Sequence, residues 1–469
     1  MQPGVIATTI PAEGHPESTV YWVRDGCLVY EVWLNELIVF GDTSVRPLIE
    51  DAVHTLIKSQ HVVSLSGNIF TGGLAESAFN LDLSAIFDAN MHFGSPGGDV
   101  APFRAAVLIK YAEWLLTQDN GTWVADNLWP AINLDLQWTA LHWNESSFDL
   151  WWPPVWSGSF WTSSMQHRAL RAGARLARTL GRESETLGYD QKAALVLDYL
   201  QSFWNEEKGY IAETTITDMS MGRSGIGSAP LTVTILNYDQ SLGCDAATFQ
   251  PCSDRALSTL KAVSDAYRKK FPIVSKDIPD NQPGYFGFYL EDGYIGGHPQ
   301  FAQCMNQAEQ LYDALSTWEH LGGLQVTDVS LDFFRMFDVA VKTGDYAKSS
   351  RTYKRLTTGI KEYADKAIEM LIESTPEDFV LPECVHKITA EPYGLRGTTR
   401  SLLSALTVAD ARSGLVPPSW SNGPSADARG VVPPAWNQPC AHAGPAYPAD
   451  KGPQFYGISE QTVFGVPVL

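Results

Sequence analysis

No apolar run in this chain approaches the roughly 20 residues that a membrane-spanning helix needs. Its start, Met1-Gln2-Pro3-Gly4-Val5-Ile6, lacks the basic and long apolar stretches of a secretory leader. As written, the chain reads as cytoplasmic, with no membrane partner. Basic charge is scarce too. Against 53 Asp and Glu stand 33 Lys and Arg, for a net charge of −20. No basic surface would offset phosphate repulsion, which excludes nucleic acid as a partner. The six cysteines form no Cys-x-x-Cys pair and no His/Cys cluster, so neither a metal nor a cofactor is expected. No Ser/Thr-rich stalk or linker divides the 469 residues, which read as one domain. Nothing in the pattern specifies an oligomeric state.

What is present is a well-filled core. Hydrophobic residues make up 44% and aromatics 11%, while the 18% charged residues are too few for a disordered chain. Phe103, Val107, Leu108, Tyr111 and Leu115 recur at helical spacing, and so do Met305, Ala308, Leu311, Tyr312, Leu315 and Trp318. Leu356, Ile360, Tyr363, Ala367 and Met370 repeat the pattern. Further helices are expected near 28–39, 44–59, 163–180, 192–204 and 254–270. Thr327 is placed to cap a helix starting near Val329. Strand signals are sparse, and Leu231-Thr232-Val233-Thr234-Ile235-Leu236 is the clearest. The class is all-α. From Gly414 the chain is Pro-rich, and a Pro-Pro-x-Trp phrase ending at Trp420 recurs at Trp436. Proline fixes φ and removes donors, so residues 413–469 should run as an extended belt on the helices.

Several blocks resemble fungal glucoamylases in order and spacing. They include Trp22-Val23-Arg24-Asp25, Phe79-Asn80-Leu81-Asp82, Asp149-Leu150-Trp151, Gln166-His167-Arg168-Ala169-Leu170, Thr248-Phe249-Gln250-Pro251-Cys252-Ser253 and Ala308-Glu309-Gln310-Leu311-Tyr312-Asp313. The resemblance runs from near Gly4 over nearly the whole chain, without the family's first helix and without a starch-binding module. It implies an (α/α)6 barrel and a Cys244–Cys252 disulfide. It also implies that Cys440 has lost its bridge partner, since Asp198 stands there.

An inverting glycosidase sets two carboxyl groups roughly 6.5–9.5 Å apart, one as acid and one as water-activating base. In the family the acid is the first Glu of Leu-Trp-Glu-Glu. Here that register reads Leu150-Trp151-Trp152-Pro153, and neither Trp nor Pro donates a proton to a glycosidic oxygen. Glu383, in Leu381-Pro382-Glu383-Cys384, is similar to the family base; otherwise it is a solvated loop carboxylate. Arg24 and Asp25 resemble the pair that holds the terminal sugar; otherwise they are a structural ion pair at a helix start, where Asp25 suits the helix dipole. Elsewhere the sugar site is rewritten. Phe93 stands for a Trp. Phe288, before Tyr289, Glu291 and Asp292, stands for a clamping Arg. Gln300, two residues after His298, stands for an aromatic platform. His298 is a candidate acid or base, although an ordinary loop histidine is the commoner case.

These changes replace charge with bulk. With Trp22, Trp151 and Trp152 they suggest a pocket for an aromatic or otherwise apolar small molecule. On this reading the protein is a repurposed, non-hydrolytic enzyme of specialised metabolism. It would guide dehydration, cyclisation or cycloaddition, with Arg24, Asp25 and Glu383 as the catalytic groups. Two alternatives stand beside it. One is a glucan or glucoside hydrolase whose acid has moved, to Glu291 or Glu391. The other is a carbohydrate-binding protein without catalysis.

Overall fold

The helical stripes fold as two concentric rings. A computed structural model describes residues 2–10, 20–87, 96–146, 158–214, 223–273 and 279–422. Among these, eleven helices have eight or more residues. They are α1 (Val23–Asn35), α2 (Arg46–Gln60), α3 (Val100–Thr117), α4 (Trp129–His142), α5 (Phe160–Leu180) and α6 (Tyr189–Leu200). Then come α7 (Ala229–Leu236), α8 (Asp254–Lys270), α9 (Phe301–Leu321), α10 (Arg351–Glu373) and α11 (Thr399–Ser413). The odd-numbered helices form the inner ring. Each packs on the next, and α11 closes back on α1. The even-numbered helices pack outside them. This is the (α/α)6 barrel that the resemblance implied.

Sequence explains which ring each helix joins. On α3 every residue from Val100 to Leu115 is buried, polar ones included, because it has neighbours all round. On α10 burial is confined to one stripe, from Tyr353 through Leu356, Ile360 and Tyr363 to Leu371, with charges opposite. Among the described residues the outer ring has five members. The open outer side of α11 shows Leu402 and Leu406, 45% and 55% exposed, where a sixth would lie.

Among the described residues strands occur only as short antiparallel pairs. β1 (Val20–Trp22) pairs with β2 (Ala78–Asn80), and β3 (Trp204–Asn205) with β4 (Tyr210–Ile211). β5 (Gly323–Val326) pairs with β6 (Gly344–Ala347), and β7 (Pro382–Val385) with β8 (Pro392–Arg396). The expected strand at 231–236 is instead the helix α7. Its β-branched run favours a strand locally. Pro230 in the first turn starts a helix instead. The Thr232 and Thr234 hydroxyls donate back to the carbonyls of Ser228 and Pro230, at 3.2 and 2.8 Å. Packing between α5 and α9 then decides the matter. The helix expected near Val329 begins at Leu331, and the Thr327 hydroxyl accepts from Ser330 N–H at 3.3 Å just before it.

The described part of the belt seals one end of the barrel. Trp420 Nε1 donates to the Asn237 carbonyl at 2.9 Å, and Ser421 N–H to Asp239 at 3.0 Å. The rest of the belt, with Trp436 and Cys440, lies outside the described residues. Cys244 and Cys252 are joined, whereas Cys27, Cys304 and Cys384 are buried thiols.

One ion pair inside the barrel joins α3 to α4. Arg104 donates twice to Asp135, at 2.8 and 2.6 Å, with both side chains fully buried. Replacing Asp135 with Asn should therefore destabilise the fold by about 3–5 kcal/mol, because Arg104 stays charged in a dry site. Urea unfolding of the variant measures the loss. A change under about 1 kcal/mol would show that the pair is not the anchor it looks to be.

Candidate active site

The end of the barrel opposite the belt gathers the residues that the sequence marked. β1, paired with β2, delivers the chain into α1, with Val23 N–H on the Ser77 carbonyl at 3.0 Å. This puts Arg24 and Asp25 in the first turn of α1. Gly26 is required there, since a Cβ would meet the Tyr21 ring at 2.6 Å.

Arg24 and Asp25 turn to different partners. Arg24 Nε donates to Asp99 Oδ2 at 2.5 Å, and Trp161 Nε1 donates to the same oxygen at 2.7 Å. The guanidinium also lies 5.9 Å from the centre of the Trp161 ring. Burial alone would raise the Asp99 carboxyl, but Arg24 and the Trp161 N–H hold it below the usual carboxylate range. Asp25 accepts from Arg400 Nε at 2.8 Å. Thr398 caps α11 by accepting from Ser401 N–H, which sets Arg400 in its first turn. Two ion pairs thus replace the single Arg24–Asp25 fork suggested by sequence.

Glu383 lies on β7, tied to the same place. The Pro382 carbonyl accepts from the Ser401 hydroxyl at 2.7 Å, next to Arg400. Leu395 N–H donates to Glu383 Oε2 at 3.2 Å. Gly394, with φ +79°, leaves room, since a Cβ there would sit 3.1 Å from that oxygen. The Arg24–Asp99 and Asp25–Arg400 ion pairs and Glu383, whose neighbour Pro382 is held by Ser401, therefore gather at one end of the ring.

The loop before α9 supplies a second group. Phe288 is half-buried and lies 6.5 Å from Tyr294, ring to ring. Tyr289 is buried beneath the Arg223 guanidinium, 3.9 Å from the ring centre. Glu291 is exposed and accepts from Ser224 N–H at 3.0 Å. Asp292 is buried and accepts from Tyr294 N–H at 2.8 Å, and burial raises its carboxyl. Trp22 is half-buried against the small cluster of Val20, Ala78 and Ile86.

Two sequence candidates serve as fasteners. His298 Nδ1 accepts from Lys387 N–H at 3.0 Å, and its ring lies 4.2 Å from Tyr393 and 4.9 Å from His386. Burial, with His386 and Lys387 nearby, keeps it below the usual histidine range. It fits a neutral loop anchor better than a proton shuttle. Gln300 is buried at the start of α9 and donates to Cys384 Sγ at 3.1 Å, so it binds β7. Phe93, Trp151 and Trp152 lie outside the described residues. The residues that sequence reasoning missed are Asp99, Trp161 and Arg400. Asp99 sits where a helix N-cap would, yet its carboxylate goes to Arg24. Nothing local marks Arg400.

The model for the family described as "Glycosyl hydrolases family 15" matches residues 4–410. The chain belongs to that family. It is 40% identical to Glucoamylase-1 of Schizophyllum commune over 89% of this chain and 70% of that protein. It is 36% identical to a Neurospora crassa glucoamylase over 89% of this chain and 64% of that one. Among solved structures, the family 15 glucoamylase from Hypocrea jecorina superposes with a TM-score of 0.85 at 33% identity. It covers 95% of this chain and 72% of its own. The chain thus spans about two-thirds of the length of these curated relatives. All of these relatives carry the name glucoamylase, and none bears on cyclisation or cycloaddition. For a family 15 barrel, the cluster from Asp99 to Glu383 is the candidate active site. Among the described residues no helix is long and apolar enough to cross a membrane.

Asp99 gives a pH test. Its folded carboxyl titrates below its unfolded value of roughly 3.9, so its stabilisation is full above that value and is lost as pH falls through the folded one. Asp99→Asn should be less stable at pH 6 by about 3–5 kcal/mol, since Arg24 loses its partner. Its unfolding free energy should also decline less steeply than the native protein's below roughly pH 4. Urea melts at several pH values measure both, and parallel curves would remove Asp99 from this role.

Proposed function

We propose that this protein acts on an α-glucosidic bond of a glucan or smaller glucoside, by hydrolysis. The observation that carries this reading is the family 15 match over residues 4–410, joined to a 40% identical glucoamylase. The cluster supports it. Glu383 is the carboxylate offered to a water, held by Leu395 N–H and given space by Gly394. Arg24, braced by Asp99 and Trp161, presents a fixed cation edge to sugar hydroxyls. Asp25 accepts hydroxyls in an orientation set by Arg400.

The acid comes from outside the family register, where Trp152 and Pro153 stand. Glu291 is the candidate from the Phe288–Asp292 loop, fixed by Ser224 N–H. Glu391 is the other; it is exposed and accepts from the Thr389 hydroxyl at 3.1 Å. A proton donor placed for another role is less efficient, so turnover should be roughly 10²–10⁴-fold below that of a relative with the usual acid. A second reading, saccharide binding without turnover, rests on those same two residues. The earlier expectation of a natural-product cyclase has no support beyond the aromatic substitutions, and the family's relatives favour hydrolysis.

Incubation with maltose decides between them. Slow glucose release above a boiled control is expected, abolished in Glu383→Gln and reduced in Glu291→Gln or Glu391→Gln. No release, together with calorimetric binding of maltose that survives Glu383→Gln, would select the binding protein. Neither release nor binding would overturn both.

A further inference from the structure

The barrel axis holds a cavity of about 150 Å³ that receives a residue from every inner helix. This is room for several waters or a small ligand. It reaches from Trp161 and Arg400 at the active-site end to Pro417, Pro418 and Trp420 of the belt.

Charge around it is uneven. On one side Glu31 is gripped by Lys110 and Arg168, each at 2.6 Å. Those cations are committed: Lys110 also donates to Asn35 at 2.7 Å, and Arg168 to the Leu236 carbonyl at 2.7 Å. Arg400 is held by Asp25. On the other side Glu309 and Asp313 stand one turn apart on α9, with Asp410 of α11 also lining the cavity. Glu309 accepts from the Thr407 hydroxyl at 2.6 Å. Asp313 is 4% exposed and lines the cavity, yet its carboxyl makes no hydrogen bond among the described residues. Neither Glu309 nor Asp313 forms an ion pair there. A buried carboxyl in this position needs either a proton or a cation.

The remaining lining selects the cation. Among the described residues no three His, Cys, Asp or Glu side chains converge as a metal would require. Val32, Ile235, Leu236 and Leu403 give the same cavity an apolar wall. We propose that this cavity binds a small primary alkylammonium ion, its charge against Asp313 and Glu309 and its carbon chain along that wall. Burial, with Asp410 nearby, pushes the Glu309 carboxyl up to about 8, and burial beside Glu309 raises the Asp313 carboxyl well above the usual carboxylate range, so a cation placed there relieves both. The site is separate from Glu383 and does not rest on the glucoside reading.

Calorimetry on the native protein with methyl-, ethyl-, n-propyl- and n-butylammonium chloride tests it. Affinity should rise about fourfold per added methylene while the cavity fills, then collapse for n-dodecylammonium. Asp313→Asn should weaken n-butylammonium by at least about tenfold. Glu383→Gln should leave that affinity unchanged. Should Asp313→Asn fail to fold, Ser404→Leu, which places a larger side chain on the cavity wall, should abolish binding. The proposal is overturned by any of several results. These are no binding heat for the series, affinity without a chain-length trend, undiminished affinity in either cavity variant, loss in Glu383→Gln, or calcium binding where the ammonium ions are silent.

Discussion

The barrel exists only because its last helix returns to its first, and one charged contact marks the closure. Asp25 opens α1 and Arg400 opens α11, 375 residues later, and they meet at 2.8 Å. Both ends of the ring are helix starts, so the contact fixes where the two N-termini converge. Glu383 then enters through β7, because Ser401 beside Arg400 holds the Pro382 carbonyl. The same closure therefore gathers the groups proposed for sugar binding and water activation. A ring that failed to close would lose the site along with the fold.

Closure also buries the barrel axis, and the inner helices carry charges into it. The solution differs along the length. Glu31 joins α1 to α3 and α5 by taking both Lys110 and Arg168. Arg104 and Asp135 pin α3 to α4 as a bidentate pair. Such pairs cost desolvation and return it only when geometry is good, so they fix register more than they add stability. Only the Glu309–Asp313 side is left without a counter-cation among the described residues, which makes it the place where a ligand has most to offer.

Periodicity made most helices legible. The stripes around Tyr111, Tyr312 and Tyr363 lie within α3, α9 and α10, and the segment at 254–270 matches α8. Local signals misled where tertiary burial won. Thr232-Val233-Thr234-Ile235 reads as strand on side-chain shape, but a strand cannot complete a ring of helices, and the threonine hydroxyls satisfy themselves within the turn. In the site, Arg24 and Asp25 were visible because they form one short block. Their partners were not, because Asp99 and Arg400 are 75 and 375 positions away and no local rule links them. His298 and Gln300 looked chemical because of their residue types. Their surroundings, Lys387 N–H and Cys384, make them fasteners of β7 and the hairpin behind it.

Pairing Asp25 with Arg400 does not by itself remove Asp25 from sugar recognition. A carboxylate has about four acceptor positions, and one N–H occupies one of them. Arg400 sets the orientation of the carboxylate, and under the proposed function its remaining positions would take sugar hydroxyls. Arg24 is braced in the same way, since Asp99 takes Nε and the guanidinium lies beside Trp161. Both groups proposed as the clamp are thus held by charged partners. A preorganised clamp lowers the entropy that a saccharide must give up on binding. It does nothing for the bond-breaking step, which needs a proton delivered to the leaving oxygen. Binding and turnover are therefore separable in this barrel. On the proposed function, the clamp rests on Asp99 and Arg400, whereas turnover rests on the carboxyl proposed to stand in for the family acid.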